Sequence, residues 1–144
     1  MKNGKFFALL VFSSIIFFAL FLVWTFNHRG SLDSFSVESL AICLNVDDDF
    51  CPRSVGDRFR FGTRQLCLWL KHNGGRAGDS MRFMWYFRGQ LIYQERYVLS
   101  KPQGRNLFYL LRDDGSPLPV GDYRVDIRLN SHSVKSENFV ISNE

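Results

Sequence analysis

The amino-terminal part of the chain contains an apolar run, Phe6 to Phe26, of 21 residues without a charge, a glycine or a proline. As a helix rising ~1.5 Å per residue it would extend ~31 Å, which matches the ~30 Å hydrocarbon thickness of a bilayer. The run therefore predicts one transmembrane helix over residues 6–26, acting as a signal anchor. Residues 1–5 would precede it, residues 27–33 would form a short stem, and residues 34–144 would form one domain.

A cleaved signal peptide is the alternative interpretation of this run. Such a peptide has a shorter apolar core and ends at a small-x-small site. Here the core is longer, and His28 occupies a position where cleavage requires a small side chain. An uncleaved anchor is therefore favoured, and Trp24 near its end suits the membrane interface.

The basic residues around the run predict its orientation. Lys2, Lys5 and the free amine precede it, whereas Arg29 alone follows closely. Because the more basic flank stays in the cytoplasm, the amino terminus is expected there, in an inner or plasma membrane. The following domain would be periplasmic or extracellular.

The charge of that domain argues against a nucleic-acid partner. From residue 31 onward there are 15 Lys and Arg against 14 Asp and Glu, a net charge of +1. A nearly neutral domain with interspersed signs lacks the basic footprint of nucleic-acid binders.

The rest of the chain consists of short segments in which apolar and polar residues alternate, separated by turns rich in Gly, Pro and Asp. This alternation is typical of strands with one buried face. The predicted strands are Ser34 to Val46 with a bulge near Glu38, Arg58 to Phe61, Gln65 to His72, Met81 to Arg88, Leu91 to Val98, Asn106 to Arg112, Asp122 to Asn130, and Val134 to Ser142. The pair around Trp85 forms the clearest hairpin, with Gly89-Gln90 as its turn.

Strands at such short, regular spacing predict an all-β fold, an antiparallel sandwich of the immunoglobulin or fibronectin type. Two one-sided sheets can hide their apolar faces only against each other. Trp85 is the expected centre of the core. The segment Leu118 to Tyr123 resembles the corner in which a Tyr hydroxyl caps the backbone, although Tyr123 follows Gly121 by two residues rather than three.

Two further motifs carry a family resemblance. Trp85-Tyr86-Phe87-Arg88-Gly89-Gln90-Leu91-Ile92, followed later by Gly121-Asp122-Tyr123-Arg124-Val125-Asp126-Ile127, resembles a pattern in small bacterial sandwich domains of the DUF2914 type. It extends over about residues 80–142. The resemblance implies an envelope-associated, non-enzymatic domain and assigns no functional residues.

The three cysteines, Cys43, Cys51 and Cys67, would lie in an oxidising compartment, where thiols tend to pair. Three thiols cannot all pair within one chain. A Cys43–Cys51 disulfide would close a loop and a Cys43–Cys67 disulfide would join two strands, and the sequence leaves both open. Reduced thiols or a metal site with a His are the remaining alternatives, although no CxxC spacing is present.

The sequence contains no recognisable catalytic, cofactor or metal motif. His28, His72 and His132 are far apart and have no nucleophile motif beside them, and no glycine-rich phosphate loop opens a helix. Asp47-Asp48-Asp49 lacks the Gly and distal Glu of a calcium loop, so a solvated turn is expected there. We therefore predict no enzyme activity, no cofactor and no metal.

Alternation assigns several aromatic and basic residues to outer faces. Tyr, Trp, Met and Arg are the residue types enriched in protein interfaces. Burial by a covering loop is the competing explanation. The candidate interface residues are Trp69, Arg82, Met84, Tyr86, Arg88, Tyr93 and Arg96.

These expectations predict a membrane-anchored accessory or structural subunit that binds a larger envelope or membrane assembly, with a small ligand not expected. The alternative is a sugar- or peptidoglycan-binding module that uses Trp69, Tyr86 and Tyr93 as a stacking platform. An enzyme is the third hypothesis.

Overall fold

The computed structural model describes residues 16–23 and 35–144. Residues 16–23 are helical and exposed. Most of the predicted transmembrane segment and the whole predicted stem lie outside the described residues. Within the described ranges no helix has both the length and the apolar character needed to cross a membrane. Ser34–Glu144 form one compact unit.

Residues 35–144 form ten strands. They are β1 (Ser36–Cys43), β2 (Asn45–Val46), β3 (Pro52–Arg53), β4 (Arg58–Arg60), β5 (Gln65–Asn73), β6 (Ser80–Phe87), β7 (Gln90–Val98), β8 (Gly104–Leu111), β9 (Gly121–Leu129) and β10 (His132–Ser142). The first predicted strand is interrupted, because β1 ends at Cys43 and β2 begins at Asn45. Its predicted bulge is confirmed by a register shift between Val37 and Ser39.

The strands form an immunoglobulin-like β-sandwich of two main sheets. One sheet has the order β4-β10-β9-β6-β7 and the other the order β1-β5-β8, while β2 and β3 make a separate small hairpin. All pairs are antiparallel except β4 with β10, which are parallel. The predicted all-antiparallel arrangement is therefore wrong at this edge.

The core lies between the two sheets and contains the residues that alternation placed inward. Leu66, Leu68 and Leu70 of β5 and Trp85 of β6 are fully buried, as predicted. The Phe83 and Phe108 rings stack across the sheets with centroids 3.7 Å apart. Since the alternation is so regular, a register slip of one residue would expose each of these side chains.

Two local features fix the ends of the sandwich. The Tyr123 hydroxyl donates a hydrogen bond to the Pro119 carbonyl at 2.7 Å, so the corner forms despite its unusual spacing. Burial raises the pKa of Tyr123 to about 12. The β6–β7 turn is Arg88-Gly89 rather than the predicted Gly89-Gln90, and both residues have positive φ (48° and 80°), as a type I′ turn requires.

Candidate interaction surfaces

The outer face of the three-stranded sheet is covered by the β2–β3 hairpin. Cys43, Cys67 and Trp69 form a second buried cluster there, packed against Val46 and Phe50 of the hairpin. The Trp69 indole N–H donates to the Phe50 carbonyl at 2.9 Å. Trp69 is 8% exposed, so its predicted exposure on an outer face is wrong.

Asp47 holds this hairpin in shape. Its Oδ1 accepts hydrogen bonds from the backbone N–H groups of Asp49 (3.1 Å) and Cys51 (2.8 Å), and its Oδ2 lies 2.6 Å from Arg53. The Cys51 N–H, followed by the Arg53 guanidinium, lowers the pKa of the Asp47 carboxyl. The polar run Asp47-Asp48-Asp49, predicted to be a solvated turn, is therefore also part of the hairpin that covers the sheet.

The three cysteines are free thiols in the structure, and their environments differ. Cys43 and Cys67 are partners in the β1–β5 register, whereas Cys51 is exposed. The Cys43 thiol donates a hydrogen bond to the Cys67 carbonyl at 3.6 Å, and the Cys67 thiol donates to the Leu44 carbonyl at 3.4 Å. Burial raises the pKa of Cys43 to about 12 and also raises the pKa of Cys67. Of the two pairings left open by the sequence, the geometry therefore brings together Cys43 and Cys67.

The outer face of the five-stranded sheet carries a row of arginines. Arg82 on β6 pairs in register with Arg96 on β7 and with Arg128 on β9. We call these three residues the arginine row. The Nε of Arg96 donates to the Ser80 hydroxyl at 2.7 Å, while Arg82 and Arg128 have no ion pair among the residues 35–144. Arg82 and Arg96 were predicted for this face, whereas Arg128 was not among the candidates.

Next to the arginine row, Tyr86 is covered by a neighbouring guanidinium. The Arg124 guanidinium lies 4.4 Å from the Tyr86 ring centroid, and its Nε contacts Asp126 at 3.0 Å. Met84 lies between Tyr86 and Arg82 on the same face and is half-buried. Arg82, Met84, Tyr86 and Arg96 therefore share one face, as predicted.

The other two candidates lie elsewhere. The Arg88 guanidinium donates to the Val120 carbonyl at 3.2 Å and lies 5.0 Å from the Phe87 ring centroid, so it packs on the β9 side of the turn. A register shift between Trp85 and Tyr86 makes Tyr93 the partner of Trp85. Tyr93 therefore lies on the inner side of β7, as Trp85 does on β6. Trp69, Tyr86 and Tyr93 consequently occupy three different surfaces and do not form a shared stacking platform.

Tyr93 lines a groove of about 490 Å³ at one end of the sandwich. The groove lies among the β6–β7 turn, the end of β8 and the loop before β9. Its walls are mainly apolar with a charged rim. They comprise Phe87, Ile92, Tyr93, Leu110, Leu111, Arg112, Asp113, Asp114, Leu118, Pro119 and Tyr123.

The groove continues along two edge strands, which we call the β7–β8 edge. β7 ends one sheet and β8 ends the other, and the rings of Tyr97 and Phe108 meet between them with centroids 5.8 Å apart. Six of the nine exposed large apolar side chains of residues 35–144 lie on these two strands. They are Leu91, Ile92, Tyr93, Val98, Tyr109 and Leu111.

Glu95 also lies on the inner side of β7, opposite Phe83. Its Oε1 is buried and has no hydrogen-bond partner among the described residues. Burial raises the pKa of the Glu95 carboxyl. Inward-pointing charges of this kind discourage indiscriminate strand pairing at sheet edges.

Comparison with solved structures supports the fold and nothing more specific. An immunoglobulin-like protein from Pseudomonas aeruginosa superimposes with a TM-score of 0.52 at 10% sequence identity, over 75% of this chain and 96% of that protein. No protein-family model matches the chain, so the resemblance to DUF2914 domains is not confirmed. No curated protein matches it either.

Proposed function

We propose that this protein is a non-enzymatic accessory subunit, anchored in a membrane by residues 6–26, whose extracytoplasmic sandwich binds a partner protein of an envelope or membrane complex. The observation that carries the proposal is the concentration of exposed apolar side chains along the β7–β8 edge and its groove. Contiguous exposed apolar patches on otherwise soluble domains mark interaction sites.

The chemistry of the edge suits an extended partner segment. An edge strand presents unpaired N–H and C=O groups, so a peptide can add to it as a further strand while its side chains enter nearby pockets. β7 is nine residues long, and Ile92 and Tyr93 lead from it into the groove. An apolar side chain of the partner would fill the groove, and the strand would supply the backbone hydrogen bonds.

Site-specific photo-crosslinking in native membranes tests this proposal. A photoreactive residue at Ile92 or Leu111 should capture one defined partner, whereas the same residue at Val55 should not. Val55 is the matched control because it is exposed and apolar and lies in the loop before β4, the strand at the opposite edge of the five-stranded sheet from β7. Leu111→Asp should remove the crosslink formed from Ile92, while Val55→Asp should leave it intact.

Several results would contradict the proposal. Equal capture from Val55 and Ile92, or an Ile92 crosslink that survives Leu111→Asp, would show that the edge is not the binding surface. Saturable glycan binding by the full chain would favour the sugar-binding alternative.

Proteolysis of spheroplasts tests the topology, because an extracytoplasmic domain should be digested while a cytoplasmic marker is spared.

A further inference from the structure

The arginine row places three like charges directly opposite one another. Adjacent strands lie ~4.8 Å apart, so the Cα atoms of the three arginines lie along ~10 Å of the sheet. Directly opposed like charges destabilise a sheet. Arg96, Arg82 and Arg128 occupy successive register positions across β7, β6 and β9. An anionic ligand would relieve this repulsion.

The carboxylates closest in the fold are already engaged. Asp126 binds the Arg124 guanidinium and the Ser136 hydroxyl. Asp79, next to Ser80, accepts hydrogen bonds from the Asn130 side chain and the Arg76 backbone. The positive charge of the row is therefore not matched by a free carboxylate among these neighbours.

The shape of this face indicates an extended anionic surface. Small-molecule sites are concave, whereas Arg82 and Arg96 are exposed on the outer side of a sheet. Protein interfaces are built around a cluster of apolar side chains, whereas the exposed apolar side chains on the arginine side of β7, Leu91 and Val98, lie near the two ends of the strand. Arginine binds phosphate oxygens through its planar fork of donors.

We propose that the arginine row binds the phosphate headgroups of anionic phospholipids and so holds this face of the domain against the membrane surface. The inference rests on the proposed function in one respect, since the anchor would keep headgroups at high local concentration. Headgroup binding itself needs only the sandwich and can therefore be tested without the anchor.

Vesicle co-sedimentation of the Ser34–Glu144 unit is the test, because this unit contains both sheets and the whole core between them. It should bind phosphatidylcholine vesicles that contain phosphatidylglycerol and should not bind phosphatidylcholine alone. Each Arg→Gln change in the row should weaken binding about fivefold, and the triple change roughly a hundredfold, on the basis of about 1 kcal/mol per charge near an anionic surface. High salt should weaken binding of the unchanged unit.

The matched control removes three charges away from this face: Arg64→Gln, Lys71→Gln and Lys101→Gln, all at exposed positions. It should retain most of the binding. The triple variant of the row should also unfold at an equal or higher temperature at low salt, because repulsion is removed, and this result would show that it is folded.

Two outcomes would overturn the proposal. In one, the row variant and the control variant lose binding equally, or the row variant loses none. In the other, the unit binds soluble polyglutamate through the row but not the phosphatidylglycerol vesicles, which would assign the row to an acidic protein partner. Neither outcome affects the crosslinking test of the β7–β8 edge.

Discussion

The outer faces of the two sheets have different fates in the same domain. In both sheets, inward and outward residues alternate along the strands. Each sheet has an aromatic residue at an outward position, Trp69 on one and Tyr86 on the other. The three-stranded sheet is covered by the β2–β3 hairpin, so Trp69 becomes part of a second core. The five-stranded sheet keeps its arginine row exposed or half-exposed.

Alternation assigns a side chain to a face of the sheet but does not determine what lies over that face. A cover of a few residues is enough, because Val46 and Phe50 reach the cluster from a hairpin whose strands have two residues each. The covered face gains stability from burial, whereas the uncovered face stays available for ligands.

The β2–β3 hairpin should protect the thiols beneath it from chemical modification. In the reduced protein, iodoacetamide should modify exposed Cys51 quickly and Cys43 and Cys67 very slowly. The raised pKa of Cys43, about 12 against an ordinary 9.0, makes its thiolate ~1000-fold scarcer before burial is considered. Mass spectrometry of peptides after timed labelling measures each rate.

Phe50→Ala tests the role of the β2–β3 hairpin directly, because it removes a side chain that covers the cysteine cluster. It should increase the labelling rates of Cys43 and Cys67 without changing that of Cys51 much, and Cys51→Ser should abolish rapid labelling. Fast modification of all three thiols in the unchanged protein would mean that the hairpin does not protect the sheet.

The sequence predicts the core more reliably than the surfaces, for a physical reason. Burial of Leu66, Trp85 and Phe139 follows from alternation alone, because each strand has one apolar face that must be hidden. The hairpin was missed because its strands are too short to show a period. Its signal was Asp47, whose side chain could be expected to cap a turn, although nothing local indicates that the turn folds over Trp69.

The arginine row was predictable only in part. Alternation placed Arg82 and Arg96 outward on paired strands, but their alignment with Arg128 requires β9 to lie beside β6, a pairing between strands distant in sequence. The β7–β8 edge depends on strand order in the same way. Strand order in a sandwich is set by long-range packing and is not encoded in local periodicity.

Trp69 and Tyr86 should contribute unequally to the stability of the domain. Trp69→Ala should lower the free energy of unfolding by about 3–5 kcal/mol, because it leaves a cavity under the hairpin and removes the hydrogen bond to Phe50. Tyr86→Ala should cost about 1 kcal/mol, mostly from the contact with Arg124. Urea unfolding of the two variants measures both values, and equal losses would remove the distinction between the faces.

Glu95, on the inner side of β7, should make stability depend on pH. Because its pKa is raised in the folded state by burial, its contribution to stability is present below the ordinary pKa of 4.5 and is lost as pH rises through the folded value. Glu95→Gln should therefore increase the free energy of unfolding at pH 7 and make no difference below pH ~4. Asp113→Asn, at an exposed loop, is the control and should show no such gain.

His72, at the end of β5, should change stability with pH in the direction opposite to Glu95 and by a smaller amount. His72 is buried and stacks on Phe35, and burial lowers its pKa below 6.5, with a smaller opposing influence from the Pro102 backbone and Glu38. Its contribution to stability is complete above pH 6.5 and is lost as pH falls through the folded value, because the unfolded chain then binds the proton more readily. Denaturant midpoints measured between pH 8 and 5 should fall in the unchanged protein and fall less in His72→Gln, whatever the absolute stability of the variant. Parallel slopes for the two proteins would show that His72 titrates alike in both states, and that the three-stranded sheet does not bury this ring as tightly as it buries Trp69.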